Sequence, residues 1–276
     1  MKRALLVALT LCALPVHAEL RPEWELGLGA TAFTFPDYRG ADESRGYLLP
    51  FPYLIYRGDV LRVDRQGARG VLLETERVEL DVSISGAPPV DSSKNRAREG
   101  MPDLDPTFEI GPRLNVILAR SPDRSKALTF RLPLRAVIAT DLSYAEGQGW
   151  IANPSLTYDS RPHFLDGRWR LGLQAGLLYA TDRYHRYFYG VDDAFATPER
   201  PAYRAPGGYS GAVFAASLTR RFSKVWVGGF MRYESLKGVA FEASPLMRRD
   251  FAFSAGIAIA YVFAESDRRV EVDVED

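Results

Sequence analysis

The sequence predicts an all-β protein: a closed, antiparallel transmembrane β-barrel of about 12 strands, with about 10 as the alternative. Three observations carry that reading. First, period-two patterns dominate, and no stretch approaches the ~20 consecutive apolar residues of a membrane-spanning helix. Second, FAFSAGIAIAYVF, residues 251–263, carries bulky Phe251, Phe253, Ile257, Ile259, Tyr261 and Phe263 on one face. Ala252, Ser254, Gly256, Ala258, Ala260 and Val262 occupy the other, and neither face is charged. A half-buried strand in water would be charged on one side, so the bulky face is expected to meet lipid. Third, long connections rich in Pro, Gly, Asp and Arg broadly alternate with short ones. Membrane barrels place short turns at one mouth and long loops at the other.

The elements follow in order. MKRALLVALTLCALPVHA opens with Lys2 and Arg3, continues through an apolar run over 4–14, and ends on Val16-His17-Ala18. That is the pattern of a secretory signal peptide cut after Ala18, too short to span a bilayer of ~30 Å. The sole cysteine, Cys12, lies inside it, with bulky Leu11 where a lipoprotein site needs a small residue. The remaining chain has no cysteine, so packing and backbone hydrogen bonds must hold it.

Strands are expected over 24–35, 47–56, 60–65, 70–74, 78–85, 107–118, 127–140, 150–158, 168–181, 209–220, 224–235 and 250–263. Pro50 and Pro52 cannot donate to a ladder, so the second strand is expected to be irregular or bulged. Unpaired edge groups cost several kcal/mol each in lipid, so the sheet must close on itself. Trp150, Tyr158, Trp169, Tyr179, Tyr233, Phe251 and Tyr261 fall near strand ends, where aromatic girdles sit. A soluble sandwich or lipocalin-like barrel is the alternative, but it has no reason to gather its long loops at one end. The layout is therefore a signal peptide (1–18), a barrel (19–263) and an acidic periplasmic tail (264–276), whose alternating Val270, Val272 and Val274 could add a strand but whose surrounding Glu and Asp argue for solvation. Formal net charge is zero, which gives no footing for nucleic acid.

Particular stretches add a resemblance. FPDYRGADESRGYLLPFPYLIYRGDVLRVDRQGARG, residues 35–70, contains Pro-x-Tyr-x-Gly at 36–40, Pro-x-Pro-Tyr at 50–53 and an Asp-to-Gly segment at 64–70. LKGVAFEASPL (236–246) and SAGIAIAYVF (254–263) follow near the end. Their order and spacing resemble the MipA/OmpV family of outer-membrane proteins. Val239 stands where an acid is common in that family, and the chain runs on past Phe263 where members usually stop. The resemblance implies localisation in the cell outer membrane and a binding or scaffold role in peptidoglycan maintenance, bridging a lytic transglycosylase and a peptidoglycan synthase. Outer-membrane lipid and lipopolysaccharide are the other expected partners. A small-solute channel, a surface adhesin and a lipid-active hydrolase are the alternatives.

No catalytic residue, metal or cofactor is expected. Glu109, Arg135, Arg113 and Arg131 are read as lumen-facing charges: a hairpin centred on Pro122 sets Glu109 opposite Arg135, as an ion pair, and Arg113 opposite Arg131, with a two-residue diagonal as the next register. His163 falls in a short turn. His185 falls at an outer strand end, where a hydrolase could place a base for a serine; a rim residue among aromatics is the plainer reading. Asp42-Glu43, the charges from Asp91 to Glu99 and Asp192-Asp193 lack calcium-loop spacing and read as solvated loops. Tyr184, Tyr187, Phe188 and Tyr189 read as an adhesive patch or as packing onto the rim.

Overall fold

The computed structural model describes residues 19–64, 67–141, 143–162, 165 and 168–272. The expected signal segment and His163 lie outside them. β1 (Glu19–Pro22) stands apart from the wall. The wall begins with β2 (Trp24–Pro36), β3 (Ser44–Arg57), β4 (Leu61–Asp64), β5 (Gly67–Glu74), β6 (Val78–Ala87), β7 (Thr107–Arg120) and β8 (Lys126–Thr140). β9 (Ala145–Ala152) and β10 (Ser155–Ser160) are two halves of one stave, interrupted at Asn153-Pro154, where proline removes a donor. β11 (Trp169–Ala180), β12 (Gly208–Phe222), β13 (Val225–Ser235) and β14 (Phe251–Glu265) complete it.

Each wall strand runs antiparallel to its neighbour in sequence. β14 pairs with β2, and the split stave pairs with β8 on one side and β11 on the other. The ring is therefore a closed 12-strand barrel. Closure leaves no free sheet edge where the ladder is complete, which the bilayer demands.

Side-chain parity follows the expected faces. In β14, Ile257 (70% exposed) and Ile259 (54%) point outward, while Ala260 and Val262 are buried inside against Tyr53 and Trp226. Small inward residues make room for large ones opposite. A Cβ at Gly29 would lie 2.6 Å from the Phe51 ring, so only glycine fits that point of β2. At the short-turn end, Arg220 lies over the rings of Trp169 (5.5 Å) and Phe222 (4.3 Å), an aromatic girdle with a cation laid along it.

Three expectations need correction. The region beyond Phe263 is not wholly a solvated tail: β14 continues to Glu265, and β15 (Arg269–Val272) pairs antiparallel with β1. β3 is not bulged, since its register with β2 is continuous from Ser44 to Tyr56. Its prolines fit because they face the other side, where the ladder is missing. Finally, the stretch 182–189, expected as loop, forms helix α1 (Asp182–Tyr189).

The outward face of β8 gives a direct test. Leu134 is exposed to the lipid side near mid-strand, whereas Arg135 points inward. Leu134→Arg is expected to cost about 2–4 kcal/mol and to impair insertion. Arg135→Leu should insert normally, its cost of up to about 3–5 kcal/mol falling on stability because Glu109 loses its partner. Heat-modifiable gel migration and urea unfolding in vesicles check both.

Candidate functional site

The interior is organised in layers of charge. At the short-turn end, Glu25 accepts from Arg57 (3.0 Å) and faces Arg221 (3.5 Å). Higher up, fully buried Asp81 takes Arg113 (3.0 Å) and the Asn115 amide (2.8 Å). Arg62 pairs with Glu79 (2.8 Å) and Arg69 with Asp64. Above these, Arg135 donates to Ser83 (3.0 Å) and to Glu109 (3.4 Å). Buried charges persist only when paired, and removing one partner costs about 3–5 kcal/mol.

The expected pairs are placed as follows. Glu109 and Arg135 meet, but on a diagonal, because Glu109 stands opposite Val137. Arg113 stands opposite Pro133 and pairs with Asp81 instead of lying across from Arg131. Arg131 stands opposite Asn115 and faces Asp159 at 3.7 Å. The cause is the turn. Asp123 accepts from Ser121 (2.6 Å) and from the Ser125 amide (3.2 Å), and Arg124 adopts a left-handed φ of 51°. The turn thus centres beyond Pro122. A bulge between Ile117 and Ala119 then restores the parity that keeps these charges inside.

The long-loop mouth is closed by a lid that the sequence did not announce. Tyr38 and Ala41 from loop 37–43, Ala97 from loop 88–106, Tyr189, Val191 and Ala205 from loop 181–207, and Leu236, Val239, Phe241 and Leu246 from loop 236–250 share one core. Tyr189 stacks on Phe241 with centroids 3.7 Å apart. Hydrogen bonds tie the loops together: Tyr38 to the Leu246 carbonyl (2.9 Å), Ser244 to the Tyr189 carbonyl (2.8 Å), and Tyr189 to the Arg39 carbonyl (2.9 Å). Gly40, at φ +88°, accepts from the amides of Arg248 and Arg249 (2.9 and 3.0 Å). A Cβ there would lie 2.6 Å from the Met247 sulfur.

Arg39 bolts this lid to the wall. Its guanidinium donates to Glu234 of β13 and to the hydroxyl (2.9 Å) and carbonyl of Ser210 in β12. Glu234 also accepts from Arg232 (2.7 Å). α1 presents Tyr184, His185, Phe188 and Tyr189 inward at helical spacing, and Tyr184 packs on Val137, Ile151, Leu178 and Val213. The aromatic run at 184–189 is therefore mainly packing.

His185 is not a rim residue. It is fully buried, with Nδ1 2.6 Å from the Pro206 carbonyl and Nε2 3.0 Å from Ser210 Oγ. The carbonyl fixes the proton on Nδ1, so Ser210 donates to Nε2. The pair resembles a hydrolase dyad in distance only: Ser210 is fully buried and already accepts from Arg39, which leaves no approach for a substrate. Burial pushes the imidazole below its ordinary value, the Pro206 carbonyl opposes this, and Arg39 reinforces it. Burial likewise holds the Tyr184 and Tyr189 hydroxyls well above theirs. The loop acids are engaged, Asp42 and Glu43 with Arg96 (3.1 and 2.9 Å) and Asp91 with Lys94 (2.7 Å).

Two spaces remain. Under the lid, a cavity of about 440 Å³ is lined by Arg39, Tyr184, Phe188, Glu109, Arg135 and Phe230, among others. At the short-turn mouth, a vestibule of about 640 Å³ sets Arg62, Arg69, Arg77, Arg120, Arg124 and Arg131 around Glu74, Glu76 and Glu79. The Arg113–Asp81 layer sits between them along β6 and β7.

A closed ring, apolar outside and ion-paired inside, with short turns at one mouth and long loops at the other, defines an outer-membrane β-barrel. The family model described as "MltA-interacting protein MipA" matches residues 28–263, and the chain belongs to that family. A search of curated proteins finds no match. Among solved structures, the chain is similar to the NanC porin (10% identity, 85% of this chain and 98% of that one, TM-score 0.41). It is also similar to a bacterial polysaccharide outer membrane secretin (8%, 87% and 99%, TM-score 0.40). The Pseudomonas putida toluene transporter TodX matches at 9% identity (87% and 89%, TM-score 0.34). These likenesses are too distant to carry an argument about function.

The lid predicts a pH response. His185 is neutral in the fold and its value is depressed there, so its contribution is complete above the unfolded value of about 6.5. It is lost as pH falls through the window below. The thermal midpoint should therefore drop on acidification, and His185→Gln should lose that part of the drop. NMR titration of the His185 ring proton measures the shift itself.

Proposed function

We propose that this protein is a binding or scaffold barrel of the cell envelope, serving peptidoglycan maintenance rather than solute passage or catalysis. The observation that carries the reading is the packed lid: four loops share one core across the long-loop mouth. A pore needs an open path, and here α1 and Arg39 fill that mouth.

Outer-membrane barrels turn their short connections toward the periplasm. On that orientation the lid faces outward, and the arginine-lined vestibule and the β1–β15 ribbon face the periplasm. That side would meet the partners: a lytic transglycosylase, in keeping with the family's description, and a peptidoglycan synthase. The interior ion pairs then serve the wall and not a ligand. Export by a signal peptide cut after Ala18 belongs to the same reading.

Two measurements test it together. Purified protein in planar bilayers should give no discrete conductance steps. Affinity capture from crosslinked envelopes should recover a lytic transglycosylase and a peptidoglycan synthase. Regular conductance steps without those enzymes would favour the channel instead.

A further inference from the structure

The wall is not complete on every side. β3 pairs with β2 from Ser44 to Tyr56, yet only Tyr56 and Arg57 pair with β4. β4 stops at Asp64 and β5 begins at Gly67. On the far side, the last β5–β6 pair is Arg69 with Ser83, so β6 runs on to Ala87 without it. Among the described residues no strand joins β3 to β6 above this short hairpin. Two strand positions, each about 4.8 Å wide, are missing from the long-loop half of the wall.

The gap has a frame. Its jambs are β3 and β6, and its sill is the β4–β5 hairpin. Loop 88–106 forms the lintel: Arg45 donates to Asp37 (2.6 Å) and to the Lys94 carbonyl (3.3 Å), and Asn95 donates to Asp37 (2.9 Å). Arg96 ties the same loop to Asp42 and Glu43.

We infer that this gap is a lateral window through which a lipid acyl chain passes from the bilayer into the cavity under the lid. The edge chemistry points to that occupant. The Arg57 amide donates to Glu23 on the β2 side (2.8 Å), and the Gly58 amide donates to Leu61 on the other (3.2 Å). Backbone groups alternate along a strand, so even-numbered residues of β3 direct theirs at the gap. Pro50 and Pro52 are among these, and neither has an N–H. A peptide strand adding to this edge would lose those two donors. Lipid loses nothing by their absence, since each unpaired N–H in hydrocarbon is costly.

The side chains at the opening agree. Leu48 (77% exposed) faces outward and Leu49 (46%) inward, and both are apolar. Inside, Tyr47 stacks with Phe33 (5.3 Å) and Phe35 (5.1 Å), an aromatic panel beside the opening. The cavity begins at this panel and the far jamb, with Phe35, Ser85, Gly86 and Ala87 in its lining. Its volume of about 440 Å³ lies within the range of small-molecule sites. The inference stands apart from the scaffold reading, because it concerns the wall and not the periplasmic face.

The chain beyond residue 18 has no cysteine, so single cysteines can be labelled cleanly. Leu49→Cys at the window, Ser217→Cys on the inner face of β12 and Leu177→Cys on the lipid face of β11 would each carry a benzophenone maleimide. The protein is placed in vesicles of phosphatidylethanolamine and phosphatidylglycerol and irradiated, and intact mass reads the phospholipid adduct. Position 49 should give a yield comparable to position 177, and position 217 almost none. Ser85→Trp, which fills the opening from the β6 side, should abolish most of the adduct at 49 and leave 177 unchanged. If Leu49→Cys fails to fold by heat-modifiable migration, Tyr47→Cys replaces it as reporter. A window position as unreactive as 217, or an adduct indifferent to Ser85→Trp, would overturn the inference.

Discussion

A backbone hydrogen bond left unmade in hydrocarbon costs several kcal/mol, and the rest of this structure follows from that constraint. It forces the strands into a ring, and the split stave of β9 and β10 closes the circle. Once the ring exists, alternation divides every strand into a lipid face and a lumen face. β14 can then carry Ile257 and Ile259 outward and Ala260 inward without a charge on either side. Among the described residues, the gap in the ladder between β3 and β6 lies where two prolines have removed donors from the edge.

The enclosed space sets the second requirement. A 12-strand ring is too wide for its inward side chains to fill with apolar bulk alone. This chain fills it with ion pairs that cross strands: Asp81 with Arg113, Glu109 with Arg135, Glu25 with Arg57. Such pairs add little net stability, but each partner makes the other indispensable. Arg39 extends the same logic upward, tying the loop core to Glu234 and Ser210. The lid is therefore continuous with the charged interior.

The wall was legible because its signal is periodic. Residues 78–85 and 127–140 alternate so regularly that strand, face and lumen charge could all be read from them. The lid was not legible, because Tyr38, Ala97, Val191 and Phe241 come from four loops with no shared period. Yet the segments that carry the family resemblance, 36–40 and 236–246, turn out to meet there, through Tyr38 and Leu246. The Glu109–Arg135 diagonal needed a turn centre and a bulge that only side-chain bonding at Asp123 decides. β15 was hidden by the acids around it, and His185 by a helix of eight residues inside a long loop.

The central claim is that parity along each wall strand separates lipid from lumen. Spin labels at positions 134 and 135 of β8 test it at adjacent residues. Collision with lipid-soluble oxygen should dominate at 134, and access to an aqueous nickel complex should exceed it at 135. The reverse pattern, oxygen at 135 and nickel at 134, would contradict the inward and outward faces on which the barrel rests.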